Sequence, residues 1–290
     1  MGTLATGGMI DPRTAMVLGR VSNLPTVWTN VVTGVVLAGA DLATFWLVLP
    51  LLAGSLLYVG GMYLNDAFDA EIDKAQRSDR PIPKGVVDRE TVLVAGFAML
   101  AAAALLLLLA GWKAFLAAIV LAALITLYDM HHKGNPWSPV LMGLCRFMLY
   151  ITAGLAVAGS FGWVSILGAV LLLAYLVGLT YAAKQEHLNE IGNAWPLACM
   201  ALPFVFGVTL WGSGWLTFLI WVGFAAWAAR SLMFLFRKPR VVPKAVVSLI
   251  AGICLLDALL CAGLGASGAA VSCLLGFGAT LVFQRYVPGT

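Results

Sequence analysis

Asn65-Asp66-Ala67-Phe68-Asp69-Ala70-Glu71-Ile72-Asp73-Lys74-Ala75-Gln76-Arg77-Ser78-Asp79-Arg80-Pro81-Ile82-Pro83 is the only long polar stretch in the chain. The apolar run 43–65 enters it without a linker, and the next apolar run begins near residue 91. Each run has the roughly 20 residues that a helix needs to cross a bilayer. The polar stretch is therefore a water-side connection between two membrane helices. The rest of the chain repeats the pattern, with apolar segments at 16–40, 43–65, 91–110, 113–130, 138–158, 162–183, 194–211, 215–236, 244–265 and 268–286. Composition agrees: 62% of the 290 residues are hydrophobic and 10% are charged, where a soluble domain carries roughly a quarter charged residues. The expected fold class is all-α, a polytopic membrane helical bundle forming one domain over residues 1–290, since no long polar linker divides it. The count is nine or ten transmembrane helices. The seventh segment is short, and the last two allow one span plus a re-entrant piece.

Arg13 and Arg20 followed by an apolar run faintly resemble a signal peptide. Val31 to Ala40 has no convincing cleavage site, and polar Thr29 and Asn30 precede it, so it reads as a retained first span. Cys145, Cys199, Cys254, Cys261 and Cys273 lie in apolar segments, odd in number and without a CxxC pair. They read as small buried apolar residues rather than disulfides or a zinc site. With alternating spans, most basic residues gather on one side: Arg13, Arg20, Lys74, Arg77, Arg80, Lys84, Arg89, Lys133, Lys184, Arg237, Lys238, Arg240, Lys244 and Arg285. Lys113 stands opposite. By the positive-inside rule the polar stretch is cytoplasmic. The net charge of +4 is a topology signal and points to no nucleic-acid partner.

Within the polar stretch Asn65, Asp69, Asp73 and Arg77 recur every four residues, so on a helix they share one face. Asp66 lies two turns before Asp73 and joins that face. Like charges at this spacing destabilise a bare helix. A divalent cation offsets the repulsion, and hard oxygen donors suit Mg2+, which takes one or two carboxylates plus phosphate oxygens. Arg77 and Arg80 then stand where a diphosphate needs counter-charge, which arginine supplies in a bidentate fork. The bland alternative is an acidic loop paired with its own basic residues.

The segment after span six, Lys184-Gln185-Glu186-His187-Leu188-Asn189-Glu190-Ile191-Gly192-Asn193, again sets two acids four apart, on the same membrane side. Facing the first stripe, Glu186 and Glu190 complete a funnel for a metal-bridged diphosphate; alone, an amphipathic connector explains them as well. Ionisable residues inside spans are costly and point to function. Arg146, well within span five, reads as cavity-lining. Asp257 reads as a hydrogen-bonding residue between helices, and Arg230 as a snorkelling one. Tyr128, Asp129, His131, His132 and Lys133 cluster after span four. The adjacent histidines point about 100° apart, which disfavours a shared metal, while Lys133 could reach a phosphate. Asn23 and Asn30 share a face of span one, and line a polar chamber or bond neighbouring helices. Of 31 aromatic residues, Tyr58, Tyr63, Tyr150 and Tyr181 could line a cavity and stabilise a carbocation through their rings.

Asn65-Asp66-x-x-Asp69-x-x-x-Asp73, followed by Arg77 and Arg80-Pro81-Ile82-Pro83, resembles the first aspartate-rich motif of the UbiA superfamily of intramembrane prenyltransferases. Arg20, with Asn23-Leu24-Pro25-Thr26, resembles that family's first helix, and the resemblance runs through nearly the whole chain in span order. It implies nine helices around a central cavity, capped by two motif-bearing loops. It also implies transfer of an isoprenoid chain from an allylic diphosphate to an acceptor, usually aromatic, with Mg2+. Carried over, Asn65, Asp69 and Asp73, with Asp66 beside them, match the first metal motif. Arg77 and Arg80 match the basic residues that hold diphosphate. Lys133, with Tyr128 or Asp129 before it, stands near the family's tyrosine–lysine element, with a tyrosine-to-lysine spacing of five rather than four. Glu186 and Glu190 stand in place of paired aspartates, one methylene longer. The wording of that second segment resembles a branch encoded with bacterial ebo gene clusters.

The expected function is Mg2+-dependent prenyl transfer to an aromatic or other lipophilic acceptor. Asp69, Asp73, Glu186 and Glu190 are the catalytic candidates, and with Asn65 and Asp66 they are the metal ligands. The substrate-binding candidates are Arg20, Asn23, Asn65, Arg77, Arg80, Tyr128, Lys133, Arg146 and Lys184. A cyclase that quenches its carbocation internally is an alternative, as is a binder or transporter of prenyl diphosphate or lipid. Expected partners are a prenyl diphosphate, a lipophilic acceptor and membrane lipid, with no obligate protein partner. The expected location is the bacterial inner membrane with the site loops cytoplasmic.

Overall fold

A computed structural model describes residues 10–184, 198–237, 241–287 and 289. Its elements are α1 (Pro12–Leu18), α2 (Leu24–Leu37), α3 (Val48–Phe68), α4 (Ala70–Gln76), α5 (Arg89–Leu108), α6 (Trp112–His131), α7 (Ser138–Ala158), α8 (Trp163–Lys184), α9 (Leu202–Thr209), α10 (Trp215–Phe236), α11 (Val242–Gly263) and α12 (Ser267–Phe283), with short 3₁₀ turns between some of them. Among the described residues, seven helices are long and apolar enough to cross a membrane: α3 with its preceding turn, α5, α6, α7, α8, α10 and α11. α12 is a continuous helix of 17 residues, about 25 Å at 1.5 Å per residue. The expected seventh segment is described over α9. Large apolar side chains such as Leu105, Leu109, Leu219 and Leu275 face outward and are exposed, as a lipid-facing surface requires.

The helices close a ring. Contacts run from α2 to α3, α5, α6, α7, α8, α11, α12 and back to α2, with α10 and α9 packed outside α11 and α8. Because α2 also touches α7 and α11, it lies toward the inside, and Val27, Val31 and Val35 on it are fully buried. Lipid offers apolar side chains no less than another helix does, so packing in membranes relies on small residues that let backbones approach. Gly34 of α2 does this against α7: a Cβ there would lie 2.6 Å from the Tyr150 carbonyl oxygen.

The expected first span, 16–40, is interrupted. α1 ends at Leu18, a turn covers Val21–Asn23, and α2 begins at Leu24 with Pro25 in its first turn. Arg20 carries the break, with φ at +43°, the only non-glycine residue with positive φ among the described residues. A side chain held in that region costs on the order of 1–3 kcal/mol, so its surroundings must hold it there.

Candidate active site at the mouth of the cavity

The polar stretch begins inside a helix. α3 ends at Phe68 and α4 starts at Ala70, yet the backbone N–H of Asp69 bonds the Asn65 carbonyl at 3.0 Å, Asp73 bonds Asp69 at 2.8 Å, and Arg77 bonds Asp73 at 2.8 Å. The four-residue register therefore survives the joint. Asn65, Asp66, Asp69 and Asp73 are all buried, and basic side chains from three other places meet them. Arg20 Nη2 donates to Asp66 Oδ1 at 3.0 Å and to Asn65 Oδ1 at 3.2 Å. Arg80 Nη1 bridges Asp66 Oδ1 at 3.0 Å and Asp73 Oδ2 at 2.7 Å. Lys133 Nζ lies 3.2 Å and His132 Nε2 3.4 Å from Asp69 Oδ2. Burial alone would push the Asp69 carboxyl up; the hydrogen bonds and charges of His132 and Lys133 outweigh it and hold it below the usual carboxylate value.

Two participants were underweighted by sequence reasoning. His132 pairs with Asp69 and stacks on Tyr128, ring centroids 5.0 Å apart. Asp129 is buried and accepts Asn65 Nδ2 at 3.1 Å on Oδ1, and its Oδ2 has no hydrogen-bond partner among the described residues. The signal for Asp129 was an acid in the last turn of an apolar span; its partner is 64 residues away. Both Tyr128 and Asp129 reach the cavity wall.

Arg77 closes α4 through its backbone N–H and is partly exposed. Lys184, the last residue of α8, donates to the Asn135 carbonyl at 2.5 Å, which brings the start of the second acidic segment to the side of the α6–α7 connection. Glu186 and Glu190 themselves lie outside the described residues. Asn23 lines the cavity but uses its amide on the C-terminal segment, donating to Gly289 O at 2.8 Å and accepting Gln284 Nε2 at 3.0 Å. Asn30 bonds two helices at once, accepting Arg146 and donating to Asp257. Tyr58 lines the cavity. Tyr63 points instead toward α1, its hydroxyl near the Ala15 carbonyl, and Tyr150 donates to Asp257.

Behind the charged mouth lies a cavity of about 250 Å³ within the ring. Arg20, Tyr128 and Asp129 wall it at the mouth, and Leu57, Met62, Leu121, Ile125, Leu149, Leu176 and Ile250 make most of it apolar. Among the described residues no three His, Cys, Asp or Glu side chains form a preformed metal cage. The donor chemistry nevertheless fits Mg2+, which takes few protein carboxylates and completes its shell with water and phosphate oxygens. Asn65, Asp66, Asp69 and Asp73 are hard oxygen donors on one helical face, and the orphaned Oδ2 of Asp129 is a further one beside them.

The UbiA prenyltransferase family profile matches residues 26–247. The chain belongs to the UbiA prenyltransferase family. Among curated relatives it is similar to the digeranylgeranylglyceryl phosphate synthase of Thermococcus gammatolerans, 30% identical over 161 residues, 56% of this chain and 57% of that protein. It is also similar to the protein of that name from Methanopyrus kandleri, 28% identical over 200 residues, 67% of this chain and 70% of the relative. The chain matches the first of these relatives over little more than half of that protein's length. Among solved structures, a chain from work on digeranylgeranylglyceryl phosphate synthase in membranes gives a TM-score of 0.58 at 17% identity, covering 88% of this chain and 97% of its own. A UbiA homologue from Archaeoglobus fulgidus, bound to DMAPP and Mg2+, gives 0.54 at 15% identity, covering 95% of this chain and all of its own. At these identities the structural likeness is one of fold: an all-helical UbiA bundle in the membrane.

Proposed function

We propose that this UbiA-family protein is an intramembrane prenyltransferase that moves an isoprenoid chain from a prenyl diphosphate to a lipophilic acceptor, with Mg2+ as cofactor. One observation carries the reading: a cluster of buried carboxylates, paired with Arg20, Arg80 and Lys133, adjoins through Arg20 and Asp129 an apolar cavity inside a membrane bundle. A prenyl diphosphate has the matching polarity, a charged head for the rim and an apolar tail for the cavity. Bound by Asn65, Asp69 and Asp73, Mg2+ would neutralise charge building on the departing diphosphate. Arg20, Arg80 and Lys133 would turn from the carboxylates toward phosphate oxygens and hold the leaving group. The ring walls exclude water from the allylic carbon. Tyr58 and Tyr128, both on the wall, offer π faces to the developing cation. The clustering of basic residues on the mouth side supports a cytoplasmic mouth.

The test is Mg2+-dependent release of diphosphate from a ladder of prenyl diphosphates, by the wild type, Asp69→Asn and Asp73→Asn, with lipid extract as acceptor. Each substitution is expected to lower turnover by about 100-fold or more, the scale of removing one preorganised electrostatic group. Unchanged turnover in both variants would sink the assignment.

A further inference from the structure

At the mouth, Arg20, Arg80 and Lys133 have carboxylate partners. Arg146 does not. It stands eight residues past Ser138, the first residue of α7, about 12 Å of helix rise below the mouth, and it lines the cavity. Nη1 donates to Asn30 Oδ1 at 2.7 Å and Nη2 to Thr26 Oγ1 at 3.2 Å. The guanidinium also lies over the Tyr58 ring, 5.5 Å from its centroid. These partners are all neutral. Among the described residues Arg146 reaches Asp257 through Asn30, whose Nδ2 donates to it at 2.8 Å, and the other Asp257 oxygen is taken by the Tyr150 hydroxyl. A guanidinium has five N–H donors, so the two bonds to Asn30 and Thr26 leave others for the cavity. A cation inside a membrane segment is costly unless a partner offsets it. Here the protein fixes the group through Asn30, Thr26 and Tyr58, sets Asp257 behind Asn30 rather than against the guanidinium, and leaves the remaining N–H donors for something that enters.

We propose that Arg146 is an acceptor-binding residue: it takes the oxyanion, carboxylate or phosphate, of an amphiphilic acceptor below the diphosphate rim. Tyr58 links the two poles, with its ring against Arg146 and its hydroxyl near the Arg20 carbonyl at 3.4 Å. An acceptor anchored at Arg146 therefore lies one tyrosine side chain from the residues that hold the leaving group. The inference rests on the prenyl-transfer reading of the cavity and narrows its acceptor to an anionic amphiphile.

The experiment measures binding, so the two readings fail separately. Purified protein in neutral detergent is first loaded with inorganic diphosphate and Mg2+ to occupy the rim. It is then titrated with decanoate, methyl decanoate, dodecyl phosphate and dodecanol, following thermal stability. The acid and the phosphate are expected to stabilise the wild type and their neutral counterparts are not. Arg146→Gln is expected to weaken the anions by about tenfold or more, the scale of a lost charge-assisted hydrogen bond, and Arg146→Lys to restore part of the loss. A diazirine-bearing fatty acid needs no variant: in the wild type it is expected to label α7 and the facing part of α2. Equal binding of acid and ester, displacement of decanoate by diphosphate, or labelling confined to the rim overturns the proposal. Stabilisation of the wild type by geranyl diphosphate with Mg2+, measured separately, reports on the prenyl-transfer reading alone.

Discussion

Asp69 is the residue on which the mouth turns, because it meets His132 and Lys133 just past α6 while its neighbours Asp66 and Asp73 meet Arg80. Its pKa in the folded protein is below the usual value, so the sign of its linkage is fixed. The pairing contributes stability above the unfolded-state value, about 4 for a carboxylate, and loses it as pH falls through the depressed folded value. Thermal midpoints in detergent are expected to fall as pH drops below about 4, and Asp69→Asn is expected to flatten that part of the profile; a profile unchanged by the substitution refutes the pairing. The stripe itself was legible in sequence because its members are helical neighbours, four residues apart. The groups that meet it were legible only in part: Arg80 lies nearby in the chain, whereas Asp129 reaches Asn65 and His132 reaches Asp69 from the end of α6 and just past it, more than sixty residues on. Side-chain spacing carries local geometry and says nothing of which helix ends meet. Arg20 was expected at the site, but its positive φ, which breaks the first span, leaves no trace in residue type.

At the scale of elements, span positions were readable because each apolar run had to be long enough to cross a bilayer, and α3, α5, α6, α7 and α8 fall close to the runs expected for them. Their neighbours were not readable: α2 packs on α7 and α11 across more than a hundred residues of sequence. What allows that approach is the absence of a side chain at Gly34, whose Cβ would meet the Tyr150 backbone at 2.6 Å. Backbone cannot move aside as a flexible side chain can. Gly34→Ala is expected to cost about 1–3 kcal/mol, the range for overpacking, seen as a lowered unfolding midpoint in detergent. Gly278→Ala on α12 is the matched control, since a Cβ there meets nothing within 4 Å, and it is expected to leave the midpoint in place. Equal midpoints for the two variants would show that the α2–α7 contact is looser than the structure has it.

For the whole molecule the organising feature is polarity along the membrane normal. The mouth end carries Lys74, Arg77, Arg80, Lys84, Arg89 and Lys133, while the connections at the other end carry Lys113 and a set of exposed aromatics, Trp46, Trp112, Phe161, Trp163 and Trp215. Aromatic side chains favour the interface on either side, whereas lysine and arginine are retained on the cytoplasmic one. The proposed diphosphate rim and the topology signal therefore coincide: the residues proposed to hold substrate are also basic residues that, by the positive-inside rule, argue for the cytoplasmic mouth proposed above. Single cysteines test this in a chain cleared of its five native ones, which are free. Asp79→Cys in the mouth loop and Gly162→Cys in the α7–α8 connection both fall on exposed positions. A membrane-impermeant maleimide added to intact cells is expected to label Gly162→Cys and to spare Asp79→Cys until the membrane is opened. The reverse pattern would put the mouth outside and remove the positive-inside support for a cytoplasmic site, while leaving the rim chemistry to the Asp69→Asn and Asp73→Asn turnover measurement.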